Sequence, residues 1–186
     1  IIRAGFVLDY TYRFGDDGTV EIKSHISPQG DLPRMLPRLG FTTTVSSDFD
    51  QITWYGRGPE ENYPDRKTGY PIGIYSKTVA EMYEPYLMPQ DHALRTDIRY
   101  VQLKDQEGRG LQVSMNELFN FNAYQYTTDN LTKSMYTYQL QKLQDRYTLN
   151  LDYSTTGVGC TAVYVLDEYK TKPVAYDRVI TIKPVR

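Results

Sequence analysis

The sequence predicts an all-β chain folded as an antiparallel β-sandwich. Apolar and polar residues alternate with period two along most of the 186 residues, the spacing that sends successive side chains to opposite faces of a strand. Runs of Gly, Asp, Pro and Ser separate these stretches at turn positions. No strand-helix unit repeats, which argues against a parallel sheet.

The elements follow in order. Residues 6–14 (FVLDYTYRF) and 19–26 (TVEIKSHI) read as strands joined into a hairpin through Gly15, Asp16, Asp17 and Gly18. Residues 41–47 and 51–55 flank residues 48–50 and read as a second hairpin. Residues 99–103 and 110–116 form a third, around 105–109. Residues 146–154 and 178–185 are further strands, the latter closing the chain. Only residues 127–140 suggest a helix, with Thr128 or Asp129 as N-cap and Met135 and Tyr138 on one face, and a short surface turn is the alternative. No repeat, low-complexity tract or linker divides the chain, so residues 1–186 are expected to form one domain.

Composition narrows the function. The net charge of -2 gives no basic footprint, which argues against nucleic acid and anionic membrane as partners. No apolar run approaches the roughly 20 residues of a membrane span. Cys160 is the only cysteine, so neither an intramolecular disulfide nor a cysteine-cluster metal site is expected, and no cofactor is expected either. Tyrosine is the outlier, with 18 residues against one tryptophan. Its flat face and phenol suit sugar rings, but it also fills half-buried sheet faces, and most of the 18 are assigned there.

The most informative stretch is 54–73, WYGRGPEENYPDRKTGYPIG, a run without strand or helix periodicity directly after a strand. Its glycines permit backbone angles closed to other residues, and its prolines fix φ. Arg57, Glu60, Glu61, Asp65 and Arg66 supply charge-assisted cross-links. An ordered, rigid loop is expected.

This segment resembles the GPxENYPDRxxG signature of the C-terminal, small-chain domain of β-galactosidases of glycoside hydrolase family 2. Three further stretches are similar in the same order: LPRMLPRLGF at 32–41, EMYEPYLMPQDHALRTDIRY at 81–100 and LNLDYSTTGVG at 149–159. The resemblance implies a sandwich of the galactose-mutarotase-like (supersandwich) type. It also implies that the family domain starts upstream of the first strand, so this chain, which begins at Ile1, is expected to lack the opening strands and to leave an unpaired edge or an uncovered apolar face. Self-association into a homo-oligomer follows as an expectation.

Glycoside hydrolysis needs two facing carboxyl groups. Glu60 and Glu61 are neighbours in an extended loop and make a poor facing pair, and the family places both catalytic glutamates in a separate TIM-barrel domain. No catalytic residue is therefore assigned. The rival enzyme reading, an aldose epimerase with a histidine acid and a glutamate base, would need His25 or His92, and neither has that context. Both are expected at the surface. Arg95, Asp97 and Arg99 are expected to alternate along one strand face, as a salt-bridged ladder or as a docking surface for the barrel.

By resemblance, an aromatic residue shortly after the LNxD strand reaches the sugar, and that position falls on Tyr164, where the family more often has tryptophan. The expected function is an accessory domain of a β-galactosidase acting on terminal β-galactosides, shaping the active-site mouth of the barrel, with Tyr164 as substrate-binding residue. The partners are the β-galactoside and the rest of the parent enzyme. A carbohydrate-binding or structural interaction module without catalysis is the alternative.

Overall fold

The computed structural model describes residues 4–159 and 164–186. Among the described residues there are nine strands: β1 (Ala4–Phe14), β2 (Val20–Gly30), β3 (Arg38–Ser46), β4 (Gln51–Arg57), β5 (Ile72–Thr78), β6 (Arg95–Lys104), β7 (Gly110–Tyr124), β8 (Arg146–Thr155) and β9 (Tyr176–Val185). The main path runs β1-β2-β9-β7-β6-β4-β5, with β8 attached to β7 and β3 to β8. Every pairing is antiparallel. The fold is all-β and antiparallel, as the alternation predicts.

Strand β7 divides the sheet into two layers. Its first residues, from Gly110 to Met115, pair with β9, and its last, from Asn120 to Tyr124, pair with β8. The point of divergence is stitched: the Asn116 side chain accepts the Val179 N–H at 2.8 Å, and Arg178 meets Glu117 at 2.9 Å. The β8-β3 limb therefore folds over the β1-β2-β9 limb. Phe41 of β3 lies 5.2 Å from the Tyr10 ring of β1 and 6.1 Å from the Tyr153 ring of β8, joining the layers.

The core lies between these layers. Ile26, Trp54, Ile98, Phe121, Leu149 and Ile180 are all buried in it, and each such side chain contributes about 1.5–3 kcal/mol by leaving water. Strand β8 is buried on both faces, which the sequence YTLNLDY encodes directly. Tyr147, Leu149, Leu151 and Tyr153 face the apolar core, while Thr148, Asn150 and Asp152 are buried on the other side.

Two of the three expected hairpins form. The β1-β2 and β6-β7 turns place Gly18 (φ 80°) and Gly108 (φ 82°) in the left-handed region that glycine tolerates. The third does not form. β3 and β4 are separated by a 3₁₀ turn at Ser47–Phe49, and β3 pairs with β8 whereas β4 pairs with β5 and β6. The connection crosses between the layers: half-buried Phe41 of β3 packs against Tyr10 and Tyr153, whereas buried Trp54 of β4 packs against Tyr75 and Phe121. The helical stretch is α1 (Thr128–Lys133), N-capped by Thr127, whose hydroxyl accepts the Asn130 N–H; a 3₁₀ turn follows at Thr137–Gln139. Met135 and Tyr138 lie beyond α1 and are exposed.

Candidate functional site

The connection between β4 and β5, residues 58–71, is cross-linked by its charged side chains, as its sequence predicts. The carboxylate of Glu61, buried with its residue only 5% exposed, accepts the Arg66 guanidinium at 2.9 Å, the Ala93 N–H at 3.0 Å, the Tyr63 hydroxyl at 3.3 Å and the Tyr86 hydroxyl. Burial and this carboxylate push the Tyr86 phenol up to about 12. Beside it, the fully buried Asn62 accepts both the N–H and the hydroxyl of Thr96, at 3.1 and 2.5 Å. Glu60 turns outward to Lys77 at 2.6 Å. The two glutamates thus point apart and form no facing pair.

The base of the loop is held by Asp97. It sits at φ 55° at an irregularity in the β6-β7 register, and its carboxylate receives Arg57 at 2.5 Å and Lys67 at 2.8 Å. Burial would raise its pKa, but Lys67 and Arg57 hold it below the ordinary carboxylate value. This bulge overturns the expected alternation of Arg95, Asp97 and Arg99. Arg95 is fully buried, its guanidinium 5.3 Å from the Trp54 ring and bonded to the Pro59 carbonyl at 3.0 Å. Desolvation lowers its pKa to about 10, with Glu60, Glu84 and Glu61 opposing. Arg99 instead covers Tyr55 at 5.1 Å. An αL residue in the middle of a strand leaves no mark in a period-two pattern.

The far end of the loop reaches the turn after β8. Tyr63 and Arg66 exchange backbone hydrogen bonds at 3.2 and 2.8 Å, forming a tight turn that carries Asp65. Its carboxylate accepts the Val158 N–H at 3.1 Å and the Gly159 N–H at 2.7 Å. A Cβ on Gly157 would run into that carboxylate. The two glycines of GVG are therefore accounted for, Gly157 by close approach and Gly159 by its φ of 62°. Cys160 and the rest of residues 160–163 lie outside the described residues.

Tyr164 is 95% exposed. It lines an open groove of 680 Å³ with Arg34, Met35, Asp167, Lys172 and Val174 among its walls. A second concavity, of 470 Å³, lies beside the rigid loop and presents Glu60, Glu84 and Tyr70. Burial and then Glu61 raise the Glu84 carboxyl above its ordinary value.

A polar network backs the loop on the second face of β8. Arg38 donates to Asp152 at 2.5 Å and to Asp91 at 3.2 Å. Asn122 reaches Asp91 at 3.1 Å, and Asn150 reaches Asn122 at 2.7 Å. Burial outweighs the attraction of Arg38 and pushes the Asp152 carboxyl up to about 6. Burial acts on Arg38 in the lowering direction, yet Asp152 and Asp91 hold it above its ordinary value.

His92 corrects a second expectation. It is buried, 1% exposed, with its ring 5.3 Å from those of Tyr83 and Tyr124 and 6.5 Å from Tyr126, and Nδ1 meets the Gln90 carbonyl at 2.9 Å. Tyr83 of the same connection and Tyr124 and Tyr126, at and just past the end of β7, close over it. His25 lies at the surface as expected, 2.7 Å from Asp177. The two histidines belong to separate clusters. Among the described residues no group of three or more His, Cys, Asp and Glu side chains is placed to hold a metal ion, and no helix is long and apolar enough to cross a membrane.

The family described as β-galactosidase small chain matches residues 2–182. The chain belongs to the β-galactosidase small-chain family. Its relatives include the β-galactosidase of Priestia megaterium, 32% identical over 182 residues, covering 94% of this chain and 17% of that protein. Those of Vibrio cholerae and Pseudoalteromonas haloplanktis are 35% and 32% identical, covering 81% of this chain and 14% of theirs. This small-chain domain thus spans about a sixth of the length of its relatives.

Proposed function

We propose that this chain is the accessory small-chain part of a β-galactosidase of glycoside hydrolase family 2, and that it shapes the mouth of an active site built by a separate TIM-barrel domain. The supporting observations are the clamp between Asp65 and the 157–159 turn, which ties the signature loop to the end of the LNLDYSTTGVG stretch, and the exposure of Tyr164. In this reading the loop supplies shape, and Tyr164 offers a solvent-facing ring for a sugar face with its hydroxyl free to hydrogen-bond. The β-galactoside and the rest of the parent enzyme are the partners. The chemistry belongs to the barrel, because Glu61 is committed to its four donors and Glu60 to Lys77.

The purified chain, alone, is expected not to hydrolyse a chromogenic β-galactoside. Turnover by the pure chain that disappears on substituting Glu60 or Glu61 would overturn the assignment.

A second reading, a carbohydrate-binding module acting without catalysis, draws on the groove beside Tyr164. Saturable binding of galactosides by the isolated chain, lost in Tyr164→Ala, favours it.

A further inference from the structure

Three segments, 34–37, 156–159 and 169–174, are stitched together beneath the groove that Tyr164 lines. The Thr156 hydroxyl donates to the Leu36 carbonyl at 2.6 Å and accepts the Thr171 N–H at 2.8 Å. The Leu36 N–H in turn donates to the Thr171 carbonyl at 2.9 Å, and the Gly157 N–H to the Tyr169 carbonyl at 2.9 Å. Thr171 is buried, so these bonds fix the base of the groove away from water. The next two N–H groups of the same turn, those of Val158 and Gly159, are the ones that Asp65 holds. Leu36 and Thr171 form an antiparallel bridge, and continuing its register sets Met35 beside Lys172 and Arg34 beside Pro173.

The groove has two kinds of wall. Met35, Val165, Pro173 and Val174 are apolar, and Tyr164 adds its ring, whereas Arg34, Lys170 and Lys172 bring three cations against a single carboxylate, that of Asp167. Lys170 takes this carboxylate in a salt bridge at 2.5 Å. Lys170 first, then Lys172 and Arg34, hold the Asp167 carboxyl below its ordinary value, which places all three cations around it. With Asp167 already taken by Lys170, Arg34 and Lys172 have no lining carboxylate of their own among the described residues. The groove is therefore a positive site in a chain whose net charge is -2.

An aromatic ring, an apolar wall and two cations suit a ligand that is part sugar and part anion. Arg34 can take a carboxylate through its planar fork, and Lys172 adds a mobile point charge. The terminal galactosyl group must reach the two carboxyl groups that flank the scissile bond, so the part of the substrate that lies across a groove at the mouth is the aglycone. Resting on the active-site role proposed above, we propose that this groove selects β-galactosides whose aglycone carries an anionic group, with Arg34 and Lys172 as the residues that read the charge.

The experiment is steady-state kinetics of the full-length enzyme carrying this chain on lactobionate and on lactitol, whose open-chain aglycones differ only in a carboxylate against a CH2OH group. The wild type is expected to favour lactobionate roughly fivefold in kcat/KM at low salt, and the preference is expected to shrink as ionic strength is raised to about 0.5 M. The double substitution Arg34→Gln with Lys172→Gln is expected to abolish the preference, and Arg34→Glu with Lys172→Glu to invert it. Both residues are exposed, and circular dichroism checks that each variant keeps its strands. A wild type without the preference, a preference indifferent to salt, or a lactobionate-to-lactitol ratio unmoved by both double substitutions would each overturn the proposal. Tyr164→Ala on lactitol separates this from failure of the reading beneath it: a fall there with an unmoved ratio removes the charge selectivity alone, and no change in either removes both.

Discussion

Asp65 and Gly159 lie 94 residues apart in sequence, and the carboxylate of the first accepts the backbone N–H of the second at 2.7 Å. The other oxygen of Asp65 accepts the neighbouring Val158 N–H at 3.1 Å. One side chain thus satisfies two donors that the turn itself leaves unpaired. This contact gives the signature loop a physical role. Its glycine- and proline-rich backbone and internal cross-links present Asp65 in one place, and Asp65 fixes the turn at residues 157–159.

Asp65→Ala is expected to cost about 1–2 kcal/mol, mainly by stranding the partly buried Gly159 N–H, since the exposed Val158 N–H can turn to water. Asp65→Asn recovers little, because its amide would set a donor against one of the two N–H groups. Urea unfolding midpoints give the cost, and hydrogen exchange at Gly159 reports the loosened turn. Wild-type exchange at that amide in Asp65→Ala would show that the clamp does not hold it.

Glu61 and Glu60 separate shape from surface charge. Glu61→Ala removes the shared acceptor of Arg66, Tyr63, Tyr86 and Ala93 and is expected to destabilise the chain by about 3 kcal/mol. Glu60, whose side chain is 54% exposed in its pair with Lys77, is expected to cost about 1 kcal/mol or less on the same change. Equal losses in thermal or urea unfolding would mean that Glu61 does not organise the loop.

The two hairpins at Gly18 and Gly108 were legible because turn chemistry and strand alternation are both local. So was the loop, since its glycines, prolines and opposite charges lie within one stretch. Partner choice was not. A three-residue break between residues 41–47 and 51–55 looks like a hairpin turn, but the ladder of β3 with β8 and the contacts of Phe41 with Tyr10 and Tyr153 place β3 in the other layer. Strand β5 was hidden by Pro71 and Gly73 at its start. His92 reads as a surface residue until Tyr124 and Tyr126, from the end of β7 and just past it, join Tyr83 of its own connection around it. Its place inside EMYEPYLMPQDHALR, a tyrosine-rich stretch, was the available signal. Asp97 as an αL bulge and Arg95 as a buried cation were missed for one reason: an alternating charged sequence says nothing of a register shift.

The Asp152 carboxyl gives stability a pH dependence of known sign. Its folded pKa is about 6, above the ordinary value of 3.8, through burial. The unfolded chain loses this proton first, so the contribution of Asp152 is fully present below the ordinary value and is lost as pH rises through about 6. Urea midpoints between about pH 4 and pH 7 are expected to fall for the wild type relative to Asp152→Asn, which has no proton to lose there. Parallel pH profiles for the two proteins would show that Asp152 keeps an ordinary pKa.

The central claim, that this chain presents Tyr164 to the sugar at the mouth of a β-galactosidase active site, is tested most directly by steady-state kinetics of Tyr164→Ala in the full-length enzyme carrying this chain. The account predicts a fall in kcat/KM of roughly fivefold, about 1 kcal/mol for one aromatic stack, with Tyr164→Phe retaining most of the wild-type value because the ring face remains. Kinetic constants unchanged in Tyr164→Ala would contradict it.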